Sequence, residues 1–386
     1  MNDGELEFSA AEWQRRRELL GAIAGAHGLT HVLLYGAERS GSAVPWLTGW
    51  PVTREALVVW TADEIDLVLV QFRNHVPLAT RVATRAVVRW GGTSTIAAAV
   101  DELRRRQAPG RVGVIGALPF TACRQLADAG FEAVDLAAAY VEARLVKSDE
   151  ELAFLRRGAE LSDAGLRGLV AAARPGVSEH ELADAIERAY VPHGGLTHIH
   201  YLLSTPMDRP VIGVPAQLSS GRRLEPGDVV VTEISASYRG YAGQVLRTIT
   251  VGGRPTALYA ELHDVAQAAF DRICSVLRDD ATAAEVVEAA SVIEDAGFTI
   301  CDDLLHGYGG GYLPPVLGSR SQPHHRGADV GFRAGMTVVV QPNVVTPDGT
   351  AGVQTGELVH ITTAGVERLH SAPRGLITAD GARHEQ

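Results

Sequence analysis

The sequence predicts an α+β protein of two domains, and three features carry that prediction. Short β-rich runs alternate with helical stretches over residues 1–140, a capped amphipathic helix opens a second region at 141, and paired strand runs fill the rest of 141–386. The 386 residues suit two ordinary domains, and 46% hydrophobic with 21% charged residues is ample for packed cores.

The first domain reads as a compact α/β unit. An opening helix in MNDGELEFSAAEWQRRRELL precedes strands HVLLYG from His31, ALVVW from Ala56, DLVLVQF from Asp66, VVRW from Val87 and RVGVIG from Arg111. TIAAAVDELRRRQ has helical spacing between the last two. RVGVIGALPF lacks the GxGxxG spacing and the acidic residue of a dinucleotide turn, so it reads as a buried strand.

The second domain opens on EARLVKSDEELAFLRRGAELSDAGLRGLVAAA, one long helix in which SDEE offers a capping box and ARPG closes the run. A helix in SEHELADAIERAYV follows, then strands in GDVVVTEISASYRGYAGQVLRTITVG, a helix from about Pro255 to Arg278, another in AAEVVEAASVIEDAG, and two terminal strands. LITADGARHEQ reads as a loose tail.

Charge excludes some partners. Lys and Arg total 35 against 46 Asp and Glu, a net charge of -11, which disfavours nucleic acid phosphates and anionic membranes. No run reaches the ~18 apolar residues of a membrane span, and the first residues lack the pattern of a signal peptide. Cys123, Cys274 and Cys301 form no CxxC pair and leave one over, which suits reduced thiols. The expectation is a cytoplasmic protein with no cofactor and a small-molecule substrate.

Ordered landmarks then point to a family. PWLTGW at Pro45, RLVKSDEELAFLR, LEPGDVVVTEISASYRGYAGQVLRT, HGYG at His306, AGMTVVVQP at Ala334 and GVQTGELVHIT at Gly352 cover nearly the whole chain. Their series resembles the pita-bread family of creatinase, prolidase, aminopeptidase P and methionine aminopeptidase. The resemblance implies a C-terminal pita-bread domain over 141–386, a smaller N-terminal creatinase-type α/β domain over 1–140, and a homodimer.

It also implies a metal centre, because the family's peptidases hold two divalent ions with two Asp, one His and two Glu. At the matching positions this chain has Glu233, Gln244, His306, Gln341 and Gly356. Glu357 lies one residue further on, and on a strand that step points to the opposite face unless a bulge intervenes. One carboxylate, one imidazole and two neutral amides are a poor set for hard divalent ions, so no metal is expected. Creatinase is similar in working without metal, yet its histidine position holds Ala216 here, its active-site Glu position holds Leu246, and the peptidases' second histidine falls at Leu313.

The leading expectation is therefore a metal-independent, creatinase-like enzyme that hydrolyses a C–N bond in a small polar metabolite, or runs a related lyase or decarboxylase reaction. Glu233 and His306 form its acid-base pair, and burial pushes the Glu233 carboxyl up. Gln244 and Gln341 orient the substrate, with Tyr241, Tyr308, Tyr312, His200, Arg209 and Trp50 around them. Bland alternatives stand beside each role. Glu233 can pair with Arg247, Gln244 with Gln341, Arg209 with a surface carboxylate, and the tyrosines can simply pack. His198 and His200 share a face if THIHY is regular, and could imitate a metal triad with His306. Trp46, Trp50 and Arg54 cap a partner's pocket by the resemblance, while both tryptophans also suit the core of their own domain. Two other functions compete: a metal-dependent Xaa-Pro dipeptidase or aminopeptidase, and a non-catalytic pita-bread binding protein.

Overall fold

The computed structural model describes residues 6–37, 41–327, 329 and 331–379. The chain divides into two compact units, Met1–Arg144 and Leu145–Gln386.

In the first unit the elements run α1 (Ala10–Ala26), β1 (His31–Ala37), α2 (Ala43–Thr48), β2 (Glu55–Thr61), β3 (Asp66–Val70) and α3 (Val76–Val82). They continue with β4 (Ala86–Trp90), α4 (Thr95–Arg105), β5 (Arg111–Ile115), α5 (Phe120–Asp128), β6 (Glu132–Asp135) and α6 (Ala137–Ala143). One sheet orders them β4-β3-β2-β1-β5-β6, with β1 antiparallel to β2 and parallel to β5. Strands such as ALVVW are apolar at successive positions because both faces are covered. Val58 and Trp60 join the cluster around Leu20, Trp46 and Trp50, while Leu57 and Val59 join the one around Leu103 and Leu126. RVGVIG is β5, paired on both sides.

The second unit begins with α7 (Asp149–Ala172) and α8 (Glu179–Tyr190), each started by a capping box, Ser148 with Glu151 and Ser178 with Glu181. The single helix expected from Glu142 is thus two, since Ser148 caps a new one after α6 has ended at Ala143. Next come β7 (Leu196–Pro206), β8 (Asp228–Tyr238), β9 (Tyr241–Val251) and α9 (Ala257–Val276). AAEVVEAASVIEDAG also splits, into α10 (Ala283–Ala289) and α11 (Val292–Asp295). The remainder is β10 (Thr299–Ile300), β11 (Leu305–Tyr308), β12 (Tyr312–Leu317), β13 (His325–Arg326), β14 (Thr337–Val340), β15 (Val344–Val345), β16 (Gly356–Ile361), β17 (Val366–Arg368) and β18 (Ile377–Ala379). The expected loose tail starts as a strand, because Ile377–Ala379 pairs in parallel with β9; residues 380–386 lie outside the described residues.

The large sheet has the order β13-β12-β11-β14-β16-β9-β8-β7, with β17 on β16 and β18 on β9. Helix α7 presses against β8 and β9 so closely that a Cβ on Gly158 would stand 2.5 Å from the Tyr241 carbonyl oxygen. That contact takes one face of the sheet and leaves the other to the site. Among the described residues no helix is long and apolar enough to cross a membrane.

Candidate active site

Strand register decides which side chains meet. In the β8–β9 hairpin Glu233 lies opposite Leu246 and Ser235 opposite Gln244, so these four share one face. Gly356 of β16 lies opposite Leu246, and Leu358, on the same face, lies opposite Val339 of β14. His306 of β11 also pairs with Val339. Gln341, two residues beyond Val339, completes the face, which therefore holds Glu233, Gln244, His306, Gln341 and Gly356 together.

Glu357 goes the other way, as the strand period requires. Its carboxylate lies 2.8 Å from Arg247 Nη2, 2.6 Å from Arg368 Nε and 2.8 Å from Arg374 Nη2. Although burial opposes ionisation most strongly, Arg368 and Arg247, with His370 behind them, hold the carboxyl down to about 2. Arg247 is thereby spent on Glu357 rather than on Glu233.

Glu233 pairs with an amide instead. Gln244 Nε2 donates to Glu233 Oε1 at 2.6 Å and to Gln341 Oε1 at 3.2 Å. Gln341 Nε2 in turn donates to Asp303 Oδ1, and the Tyr312 hydroxyl donates to Asp303 Oδ2. Tyr312 stacks on His306 with ring centroids 4.1 Å apart, and Tyr308 meets the same imidazole edge-on at 5.4 Å. With no cation on it, the Glu233 carboxyl is pushed up to about 8, first by burial and then by Asp302 and Asp303. It keeps its proton at neutral pH.

Asp302 and Asp303 are missing from the sequence reading. Their signal was the adjacent acidic pair three and four residues before His306. Both border an open cavity of about 290 Å³, together with Tyr312, His324, His325 and Arg326.

The other expected site residues scatter. A bulge at His198 reverses the alternation of β7, so Tyr201 lies opposite Glu233 while His200 turns to the far face, 2.5 Å from the Tyr190 hydroxyl. The histidine pair consequently does not share a face, and no triad with His306 forms. His198 instead stands near Tyr308, ring centroids 6.1 Å apart. Tyr241 also faces the helices, donating to Glu151 Oε1 at 2.8 Å. Arg209 is exposed, with Asp208 as its neighbour at 3.8 Å. Trp50 is buried in the core of the first unit with Trp46.

The donor set does not fit two divalent ions. Hard cations need several anionic oxygens, whereas at the family's positions Glu233 is the one carboxylate, Gln244 turns its NH2 group towards its neighbours, and Gln341 is bonded at both ends. Position 356 cannot contribute, since even a Cβ there would lie 2.8 Å from the Gln341 Cα. Among the described residues, no group of three or more His, Cys, Asp or Glu side chains is placed to hold a metal ion.

Comparison with known proteins gives the ancestry. The sequence profile of metallopeptidase family M24 matches residues 153–363. A Xaa-Pro dipeptidase of Pyrococcus furiosus is 25% identical over 236 residues, spanning 61% of this chain and 65% of that protein, just under two thirds of its length. An uncharacterised peptidase of Bacillus subtilis is 26% identical over 64% of this chain and 68% of its own. Among solved structures, a Xaa-Pro dipeptidase from Bacillus anthracis superposes with a TM-score of 0.81 at 21% identity, covering 95% of this chain and 99% of that one. The prolidase of Pyrococcus horikoshii OT3 gives 0.79 at 20% identity, over 94% and 100%. These structural likenesses show the shared pita-bread fold with its N-terminal domain. The relatives' names overturn the expectation of a metal-independent, creatinase-like enzyme, because they are Xaa-Pro dipeptidases and prolidases. They favour the peptidase alternative. With its profile matched over more than half of its length, the chain belongs to metallopeptidase family M24.

Proposed function

We propose that this chain is a peptidase acting on short peptides of the Xaa-Pro class. The observation that carries the reading is the convergence of Glu233, Gln244, His306 and Gln341 on one sheet face at the family's positions. The two divalent ions that the family resemblance implies would supply a polarised carbonyl and an activated water. This chain's residues do not fit those ions, so no step is routed through them.

The chain's own groups suit handling of a peptide. Glu233 holds a proton on its carboxyl below about pH 8 and can pass it to the amine nitrogen as a water adds to the peptide carbonyl carbon and the C–N bond breaks. The proton that the water gives up goes to His306. His306, fixed by its stack on Tyr312, offers a second proton-transfer group. Tyr201, Tyr308 and Tyr312 form an aromatic wall beside them. Homodimer formation and a cytoplasmic location belong to the same proposal, and sedimentation of the purified chain tests the first.

The test of function is proline release from Gly-Pro, Ala-Pro and an Xaa-Pro-Ala tripeptide, with and without added Mn2+. Release by the parent chain and its loss in Glu233→Gln and His306→Ala are expected. Silence on every peptide in both conditions would overturn the proposal. A second reading, a peptide-binding protein without turnover, draws on the mutual bonding of Gln244 and Gln341 and on the closed position at Gly356. Calorimetric binding of Gly-Pro with no proline released would favour it.

A further inference from the structure

Two opposite charges face the open cavity of about 290 Å³, and among the described residues neither has a counter-ion. Asp302 lies just before β11 and Arg326 on β13, and because the sheet runs β13-β12-β11, the strand between them brings Tyr312 and Val316 into the same lining. Asp302 and Arg326 form no ion pair with each other. Asp302 Oδ1 accepts from Asp303 N at 2.9 Å, but no arginine or lysine among the described residues pairs with its carboxylate, and burial, then Asp303, push it up. Arg326 has no carboxylate partner among the described residues, and its guanidinium stands 5.8 Å from the centre of the Tyr312 ring.

These groups can be reached from solvent. Tyr312 is 49% exposed, and Asp302 and Arg326 are exposed as well. Glu233 and His306 are buried and line no part of this cavity, the Tyr312 ring being stacked on the imidazole. Concave walls concentrate the field of the charges they carry, so two unmatched poles around one small space favour a ligand that carries both. The volume lies at the lower end of the range for small-ligand sites.

We infer that this cavity binds a small zwitterion of the α-amino acid class, its ammonium group on Asp302 and its carboxylate on Arg326. The guanidinium offers a planar fork of donors that matches a carboxylate, whereas His325 Nδ1 already faces the Gly318 N–H at 3.3 Å. Asp303 cannot share the ammonium group, since its two oxygens accept from Gln341 and Tyr312. Val316, opposite Arg326 in register, and the Tyr312 ring give a short side chain its apolar contact. A plain amine or a plain carboxylate would match one pole only. The inference is independent of peptide cleavage, because neither Glu233 nor His306 takes part in it.

Calorimetric titration of the full chain with L-alanine, ethylamine and propionate separates the two poles, since the amine lacks the carboxylate and the acid lacks the ammonium group. L-Alanine is expected to bind at least about tenfold more tightly than either, the effect of one further charge-assisted hydrogen bond. Asp302→Asn should bring L-alanine down to the level of propionate, and Arg326→Gln down to that of ethylamine. Circular dichroism checks both folds; if Asp302→Asn does not fold, the parent comparison and Arg326→Gln still decide. L-Alanine no tighter than propionate would make this a carboxylate site, and no tighter than ethylamine an ammonium site. Either result would overturn the inference, as would the absence of saturable L-alanine binding or parent affinity in either folded variant.

Discussion

Glu233 and Gln244, eleven residues apart, meet across the β8–β9 hairpin through a 2.6 Å hydrogen bond. A buried carboxyl answered by an amide rather than a cation stays protonated, at about 8. On the opposite face of the same sheet Glu357 has three arginines and sits at about 2. Two glutamates in one sheet thus take opposite protonation states at neutral pH.

Glu233 makes stability fall as pH rises. Its folded value of about 8 lies above the ordinary 4.5, so the stabilisation is complete below about 4.5 and is lost as pH climbs towards 8. Glu233→Gln cannot ionise. Urea unfolding at pH 5 and pH 8.5 should show the variant gaining on the parent at the higher pH; parallel behaviour would place the Glu233 titration elsewhere.

Glu357 has the opposite sign. Its lowered value gives stability above about 4.5 that is lost as pH falls towards 2. Glu357→Gln leaves three arginines short of their shared partner, and a loss of about 3 to 5 kcal/mol is expected at neutral pH. Thermal unfolding reads it, and a change under 1 kcal/mol would mean that the cluster is dispensable.

Gly356→Glu would put a carboxylate back on the site face without restoring a metal position. A Cβ there crowds the Val340 carbonyl and the Gln341 Cα, so the variant should lose about 1 to 3 kcal/mol. Plasma mass spectrometry of the purified variant should find no more bound divalent metal than in the parent. Stoichiometric metal in the variant alone would show that the strand yields.

The bulge in β7 separates two neighbours by role. Tyr201→Ala should weaken dipeptide binding about tenfold, since Tyr201 lies opposite Glu233. His200→Phe breaks its bond to Tyr190 on the far face and should cost about 1 kcal/mol of stability with affinity unchanged. Titration and melting of both variants check the assignment, and reversed effects would move the bulge.

Much of the fold was legible in residue order, because its signals are local. The Ser148 and Ser178 capping boxes, the β-rich runs and the strand texture of QVLRTITVG depend on neighbours within a few positions. The outward turn of Glu357 was equally readable from strand alternation. His200 was not, since a single extra residue at His198 reverses everything after it, and no composition rule marks that bulge.

The sequence by itself determined the two-domain α+β plan and the residue types at the family's metal positions. Tertiary structure decided their chemistry. Asp303 joins Gln341 from 38 positions away, Arg247 turns to Glu357 across 110, and Gly356 is closed by a neighbouring strand. Protonation and hydrogen-bond polarity depend on which groups share a dry space, and only the folded sheet sets those distances.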